Sequence, residues 1–238
     1  MKFVGSFRFV LILVLASLCC AATDSLTVSL PDGSTKSEVG VWWPSQKLKK
    51  TLPVVVWFHG GMTSSNCTKG LVAGDDFSKL YPRVVVVSVS ACKANHWGVP
   101  AMMQVVDGAL DSVAARGKMN VEQVSLVGVS DGGIGVVMYS LQGKREVRDR
   151  LLVSTYGAVF GEARPLASEG KLQTGRWRFL QGGNDRLYPS NATVPWITEF
   201  CKGVRVDCEL RFDPAGEHDW SYWRSGRLDW IREAVNLE

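Results

Sequence analysis

The pentapeptide Gly128-Val129-Ser130-Asp131-Gly132 sets a serine between two glycines, each two residues away. A serine hydroxyl is a weak nucleophile until a base lies within hydrogen-bond reach and its Oγ is exposed. Glycines at these positions suit a sharp turn in which a Cβ would collide with neighbouring backbone. The motif is short enough to arise by chance, so its surroundings decide. It follows the β-branched run Val124–Val127 and leads into the helix-like stretch Gly132–Gln142, where Gly133 and Gly135 keep one face small. For the base, the chain offers three histidines. His59 stands in the glycine turn His59-Gly60-Gly61-Met62, and His96 precedes the serine. His218, in Gly216-Glu217-His218-Asp219-Trp220, follows the last strand-like run and is placed to complete the order serine, acid, histidine. For the acid, Asp185 lies just beyond the run Arg176–Leu180, where a carboxylate can accept the Nδ1–H of a histidine. Asp207, read as mid-strand, and Asp213, at a strand exit, compete with it; Asp185 is preferred. Glycines in the turn after Val54–Phe58 let backbone N–H groups face an anionic oxygen, and with the N–H of Asp131 at the helix start they would form an oxyanion hole. His59 itself reads as a hydrogen-bonded, loop-shaping histidine rather than a base.

Each of these residues needs a strand end to stand on. Ser25–Leu30 and Val39–Trp43 flank Pro31-Asp32-Gly33-Ser34 and read as an antiparallel hairpin. Continuous apolar runs follow at Val54–Phe58, Val84–Val89, Val124–Val127 and Leu151–Val159, with weaker ones at Arg176–Leu180 and Val204–Phe212. Runs apolar on both faces fit a parallel sheet covered by helices. The helix-like segments between them are Gly70–Leu80, Pro100–Arg116, Gly132–Gln142, Val194–Lys202 and Ser221–Val235. In Pro100–Arg116, the residues Met102, Val105, Val106, Ala109, Leu110 and Val113 make one apolar face. The expectation is an α/β three-layer sandwich of about eight mostly parallel strands, led by the hairpin. Only residues 160–175 separate two of the strand runs, which leaves no room for a large lid. Without a linker, a repeat or a compositional shift, residues 23–238 read as one domain.

At 46% hydrophobic and 21% charged residues in 238, the composition is that of a globular protein. Lys2 and Arg8 precede the apolar stretch Phe9–Leu18, and small residues follow up to Ala22. This reads as an export signal over residues 1–22, because the apolar part is well short of the ~20 residues of a membrane span. Leu18-Cys19-Cys20-Ala21 loosely fits a lipoprotein site as a lesser option. The formal charge of +4 falls to about +2 without Lys2 and Arg8, and no basic run exceeds Lys49-Lys50. Nucleic acid is therefore not an expected partner. Outside the signal, the even set Cys67, Cys92, Cys201 and Cys208 suits an oxidising compartment. These four allow three pairings, and the layout of elements favours Cys67–Cys92 and Cys201–Cys208. No CxxC or Cys/His cluster suggests a metal, and no cofactor is expected. Asn66-Cys67-Thr68 and Asn191-Ala192-Thr193 are glycosylation sequons.

Taken together, the hairpin start, His59-Gly60-Gly61, Gly128–Gly132, Asp185 and His218 resemble the α/β-hydrolases over roughly residues 25–235. Val124–Gly133 and the export signal are most similar to small secreted esterases of the polyhydroxybutyrate depolymerase and feruloyl or acetyl-xylan esterase group. The dienelactone-hydrolase-like and carboxylesterase groups stand close behind. The resemblance implies that Ser130 attacks an acyl carbonyl, that His218 takes its proton and that Asp185 orients His218. The N–H groups of Gly61 and Asp131 would hold the oxyanion, and the substrate would be a small-molecule or polymer ester. The short strand connection implies an open site, with Met62, Trp97, Trp220 and also Trp223 as candidate walls; packing in the core is the alternative for each tryptophan. A monomer is expected. A serine peptidase or acyltransferase of the same fold shares the motifs, and a non-catalytic binding protein is the rival from another class.

Overall fold

The computed structural model describes residues 23–30, 33, 35–44, 51–61, 64–117, 119–155, 157–235 and 237. Residues 1–22, read above as an export signal, and Met62 lie outside them. Among the described residues eight strands form one sheet: β1 Asp24–Ser29, β2 Lys36–Trp42, β3 Leu52–Phe58, β4 Val85–Val89, β5 Met119–Val129, β6 Glu146–Val153, β7 Arg176–Gly182 and β8 Cys208–Asp213. Their order is β1-β2-β4-β3-β5-β6-β7-β8. β1 pairs antiparallel with β2 and β2 antiparallel with β4, while all other pairs are parallel. The parallel strands consequently end on one edge of the sheet, where the loops carrying Gly61, Ser130, Asp185 and His218 collect.

Alternation along the central strands divides the core in two. Val54, Val56 and Phe58 of β3 face α3 (Pro100–Ala114), α4 (Gly132–Gln142) and α6 (Ser190–Gly203), whose Met102, Val136 and Phe200 share that core. Val55 and Trp57 point the other way, against Phe77 of α2 (Asp75–Leu80), Trp223 of α7 (Trp220–Gly226) and Ile231 of α8 (Leu228–Ala234). A strand buried on both faces must be apolar at successive positions, which is why β3 and β4 read as unbroken valine-rich runs.

The expected helix over Gly70–Leu80 divides at Gly74 into α1 (Gly70–Ala73) and α2, and the Trp42 ring packs where a Cβ on Gly74 would stand, so only glycine fits there. Ser221–Val235 likewise divides at Arg227 into α7 and α8. β6 differs most from the expected Leu151–Val159. It starts at Glu146, because its charged residues are satisfied: Asp149 pairs with Arg148 and Arg176, and Arg150 lies over the Trp177 ring at 4.5 Å. It ends at Val153, because Ser154 turns left-handed at φ 49°. β8 begins at Cys208, so Asp207 sits before the strand, far from its site-bearing end, paired with Arg178. Between β6 and β7 the described residues hold two short 3₁₀ turns and the five-residue α5 (Ala163–Ala167), which packs against α6. Both favoured disulfides are formed, Cys67–Cys92 and Cys201–Cys208.

Candidate active site

Ser130 follows the last residue of β5 and takes φ 56°, a left-handed conformation that non-glycine residues adopt only under constraint. The constraint comes from three bonds. The Ser130 N–H donates to Val153 O at 2.9 Å, while its carbonyl accepts from Gly133 N at 2.9 Å and Thr155 Oγ1 at 3.0 Å. The turn also needs its second glycine, since a Cβ on Gly132 would stand 1.9 Å from the Phe58 carbonyl oxygen. The result is a hydroxyl raised above the strand ends at the start of α4.

His218 is carried on the loop between β8 and α7. Its Nε2 lies 2.9 Å from Ser130 Oγ, and its Nδ1 lies 2.9 Å and 3.1 Å from the Asp185 carboxylate oxygens. With Nδ1 protonated toward the carboxylate, Nε2 is left to accept the serine proton. Asp185 is buried, on the loop after β7, and its Oδ1 accepts the N–H groups of Leu187 at 3.0 Å and Tyr188 at 2.8 Å. Gln181 Nε2 reaches its other oxygen at 3.4 Å. The competing acids are engaged elsewhere: Asp207 with Arg178, and Asp213 with Tyr222, Arg227 and the N–H of Ala215. The site thus brings together the serine, acid and histidine expected from their chain order.

The glycine turn after β3 lies against the serine. A Cβ on Gly60 would stand 3.0 Å from Ser130 Cβ, and Gly61 takes φ 64°. His59 shapes the turn: Nδ1–H donates to Gly60 O at 2.9 Å, and Nε2 accepts from Ala91 N at 3.0 Å. Burial pushes its pKa down to about 4, with Lys69 acting in the same direction, so the ring is neutral at ordinary pH. Lys69 Nζ reaches the carbonyls of Gly60 and Gly61 at 3.3 and 3.4 Å. The Cys67–Cys92 bridge ties this loop to the one after β4.

The tryptophans are placed differently from the expectation that they line the site. Trp97 is fully buried, and its Nε1–H donates to His59 O at 2.9 Å, which braces the glycine turn from behind. Trp220 packs edge-on against Trp57, with ring centroids 4.9 Å apart, in the core on the other side of the sheet. Trp223 is also fully buried; its Nε1–H donates to Glu217 O at 2.9 Å and to Ser154 Oγ at 3.1 Å. An indole is equally suited to a core and to a sugar platform, and only packing reveals which. Ser154 Oγ also reaches Glu217 O at 3.3 Å, so two side chains hold the carbonyl directly before His218. The sequence carried no signal for Ser154 in this role.

Tyr188 is a further neighbour with no motif of its own. Its hydroxyl donates to Asp131 Oδ1 at 2.6 Å, and its ring stands edge-on to His218 at 5.2 Å. A cavity of about 650 Å³ opens beside His218, lined by Asn184, Arg186, Leu187, Glu217 and Asp219 among others. Among the described residues no group of potential ligands is arranged for a metal ion. Asn66 is exposed, and its Oδ1 accepts from Thr68 Oγ1 at 2.8 Å. Asn191 is exposed in the first turn of α6.

No protein-family model and no curated protein matches the chain. Solved structures do. An S-formylglutathione hydrolase from Agrobacterium tumefaciens superposes with a TM-score of 0.68 at 14% identity, over 89% of this chain and 95% of that one. A thermostable esterase gives 0.64 at 12% identity, over 88% and 62%, and a puromycin hydrolase gives 0.64 at 14%, over 92% and 40%. The chain therefore spans less than two thirds of the last two proteins. These likenesses show the fold, which is that of the α/β-hydrolases.

Proposed function

We propose that the chain is an exported serine hydrolase that cleaves carboxylic esters through an acyl-enzyme on Ser130. The observation that carries this is the continuous relay from Ser130 Oγ to His218 Nε2 at 2.9 Å and from His218 Nδ1 to buried Asp185 at 2.9 Å. In the first half-reaction, Ser130 Oγ adds to the ester carbonyl carbon as His218 Nε2 takes its proton. The negative charge collects on the carbonyl oxygen, where the N–H groups of Gly61 and Asp131 receive it; such donors contribute about 3 kcal/mol each. Collapse expels the alcohol, which is protonated by His218. Water, deprotonated by the same imidazole, then releases the acid and restores Ser130. Asp185 keeps Nδ1 protonated and stabilises the imidazolium formed in both halves.

The fold family of the structural neighbours contains both esterases and peptidases, and the short connection between β6 and β7 supports an open site for a small or polymeric ester. Residues 1–22 would be removed on export, leaving residues 23–238 as one monomeric domain with two disulfides and with Asn66 and Asn191 glycosylated in a eukaryotic host. The test is a panel of p-nitrophenyl acetate, butyrate and laurate, methyl ferulate and a peptide amide. Turnover of esters, lost in Ser130→Ala without loss of fold, supports the reading; turnover of the amide alone makes the protein a peptidase, and wild-type rates in Ser130→Ala overturn the reading.

A further inference from the structure

In the proposed mechanism the residue that follows the nucleophile, Asp131, offers its backbone N–H to the oxyanion, and its side chain is a carboxylate. A fixed negative charge one residue from the reacting carbonyl opposes the charge that develops there, unless it is held and partly neutralised. Tyr188 does this. Its O–H donates to Asp131 Oδ1 at 2.6 Å, a short charge-assisted bond. Burial, then this bond, raises the phenol to about 12, so it remains a donor at any ordinary pH, while a hydrogen-bonding contact with Ser130 pulls weakly the other way. The phenol thus holds the carboxylate next to the nucleophile and stands edge-on to the His218 ring. Tyr188 is positioned by the same loop as the acid, since its own N–H donates to Asp185.

The charges around the mouth lean the same way. Glu217 and Asp219 flank His218 and are exposed in the adjoining cavity, where Arg186 is the cation. Lys69 is bonded to the outer carbonyls of the glycine turn. Any charge borne a few bonds from the scissile carbonyl lies well within a Debye length of ~10 Å from Asp131.

We infer that the Asp131–Tyr188 pair is a charge filter on the acyl group: the site accepts neutral and cationic acyl esters and rejects anionic ones. This rests on the esterase reading and deepens it. The test uses three nearly isosteric p-nitrophenyl esters, the butyrate, the hemisuccinate and the trimethylammoniobutyrate, and reads the ratio of kcat/KM values within each variant. Wild type turns over the butyrate and the cationic ester at least about tenfold better than the hemisuccinate, and the gap closes in 1 M salt. Asp131→Asn shrinks the butyrate-to-hemisuccinate ratio about tenfold. Tyr188→Phe, which removes the phenol's hydrogen bond to the carboxylate, enlarges it. A general disturbance of the site would move both variants in the same direction, and that result, or a ratio unchanged in Asp131→Asn, overturns the filter. No turnover of any of the three esters overturns the esterase reading and the filter with it; turnover without charge discrimination overturns the filter alone.

Discussion

Trp223 and Ser154 show how a side chain that touches no substrate can govern one that does. Both hold the carbonyl of Glu217, and the peptide that follows it carries His218. Trp223→Phe keeps the ring in its core site and removes the Nε1–H donor. Leaving this partly buried carbonyl short of a donor costs on the order of 1 kcal/mol, and here the cost falls on imidazole placement. The expected outcome is a kcat about tenfold lower with KM little changed, read by steady-state kinetics on an ester; equal changes in both would mark a merely structural role. His59 gives the pH dependence. Its folded pKa of about 4 lies below the unfolded value of about 6.5, so between these pH values the unfolded chain binds the extra proton. Stability is full above about pH 6.5 and falls as pH drops toward 4, by about 3 kcal/mol in all. Urea midpoints across this window should show the slope in wild type and lose that part of it in His59→Gln. At this scale, Ser130, Asp185 and His218 were legible because each must follow a strand. Tyr188 and Ser154 were not, since neither sits in a short motif and their roles arise from loops that meet only in space.

Elements place those residues through strand ends and loop ties. The Cys67–Cys92 bridge closes a 25-residue separation between the loops after β3 and β4 and holds the side of the site that carries Gly61. By loop-closure entropy such a bridge stabilises the fold by about 3 kcal/mol. The double variant Cys67→Ser/Cys92→Ser is expected to lower the urea midpoint accordingly and to reduce kcat more than it raises KM, because the donors of the oxyanion serve the transition state. Strand and helix types were readable wherever apolar runs or periodicity were strong, as in β3, β4 and α3. Boundaries were misread where tertiary packing overrode local pattern. Arg150 and Asp149 enter β6 because partners on α4, on β7 and in the loop before β7 satisfy them. The helical stretch divides at Gly74, where the Trp42 ring, about thirty residues away in sequence, takes the space a side chain would need.

For the whole molecule, the near-neutral charge balance left without Lys2 and Arg8 argues against a polybasic binding role without naming a function. The sheet order supplied the next step, since parallel strands that end on one edge gather four distant loops into one site. The likeness in fold to hydrolases of 12–14% identity leaves substrate and chemistry to this chain's own residues. Their claim is that one serine of this chain is activated, and a fluorophosphonate tests it most directly. Intact mass followed by peptide mapping should show one adduct per molecule, on the peptide that carries Ser130, with labelling lost in Ser130→Ala and strongly slowed in His218→Ala. A folded protein that takes up no label, or takes it up on another residue at the same rate in both variants, would contradict the account.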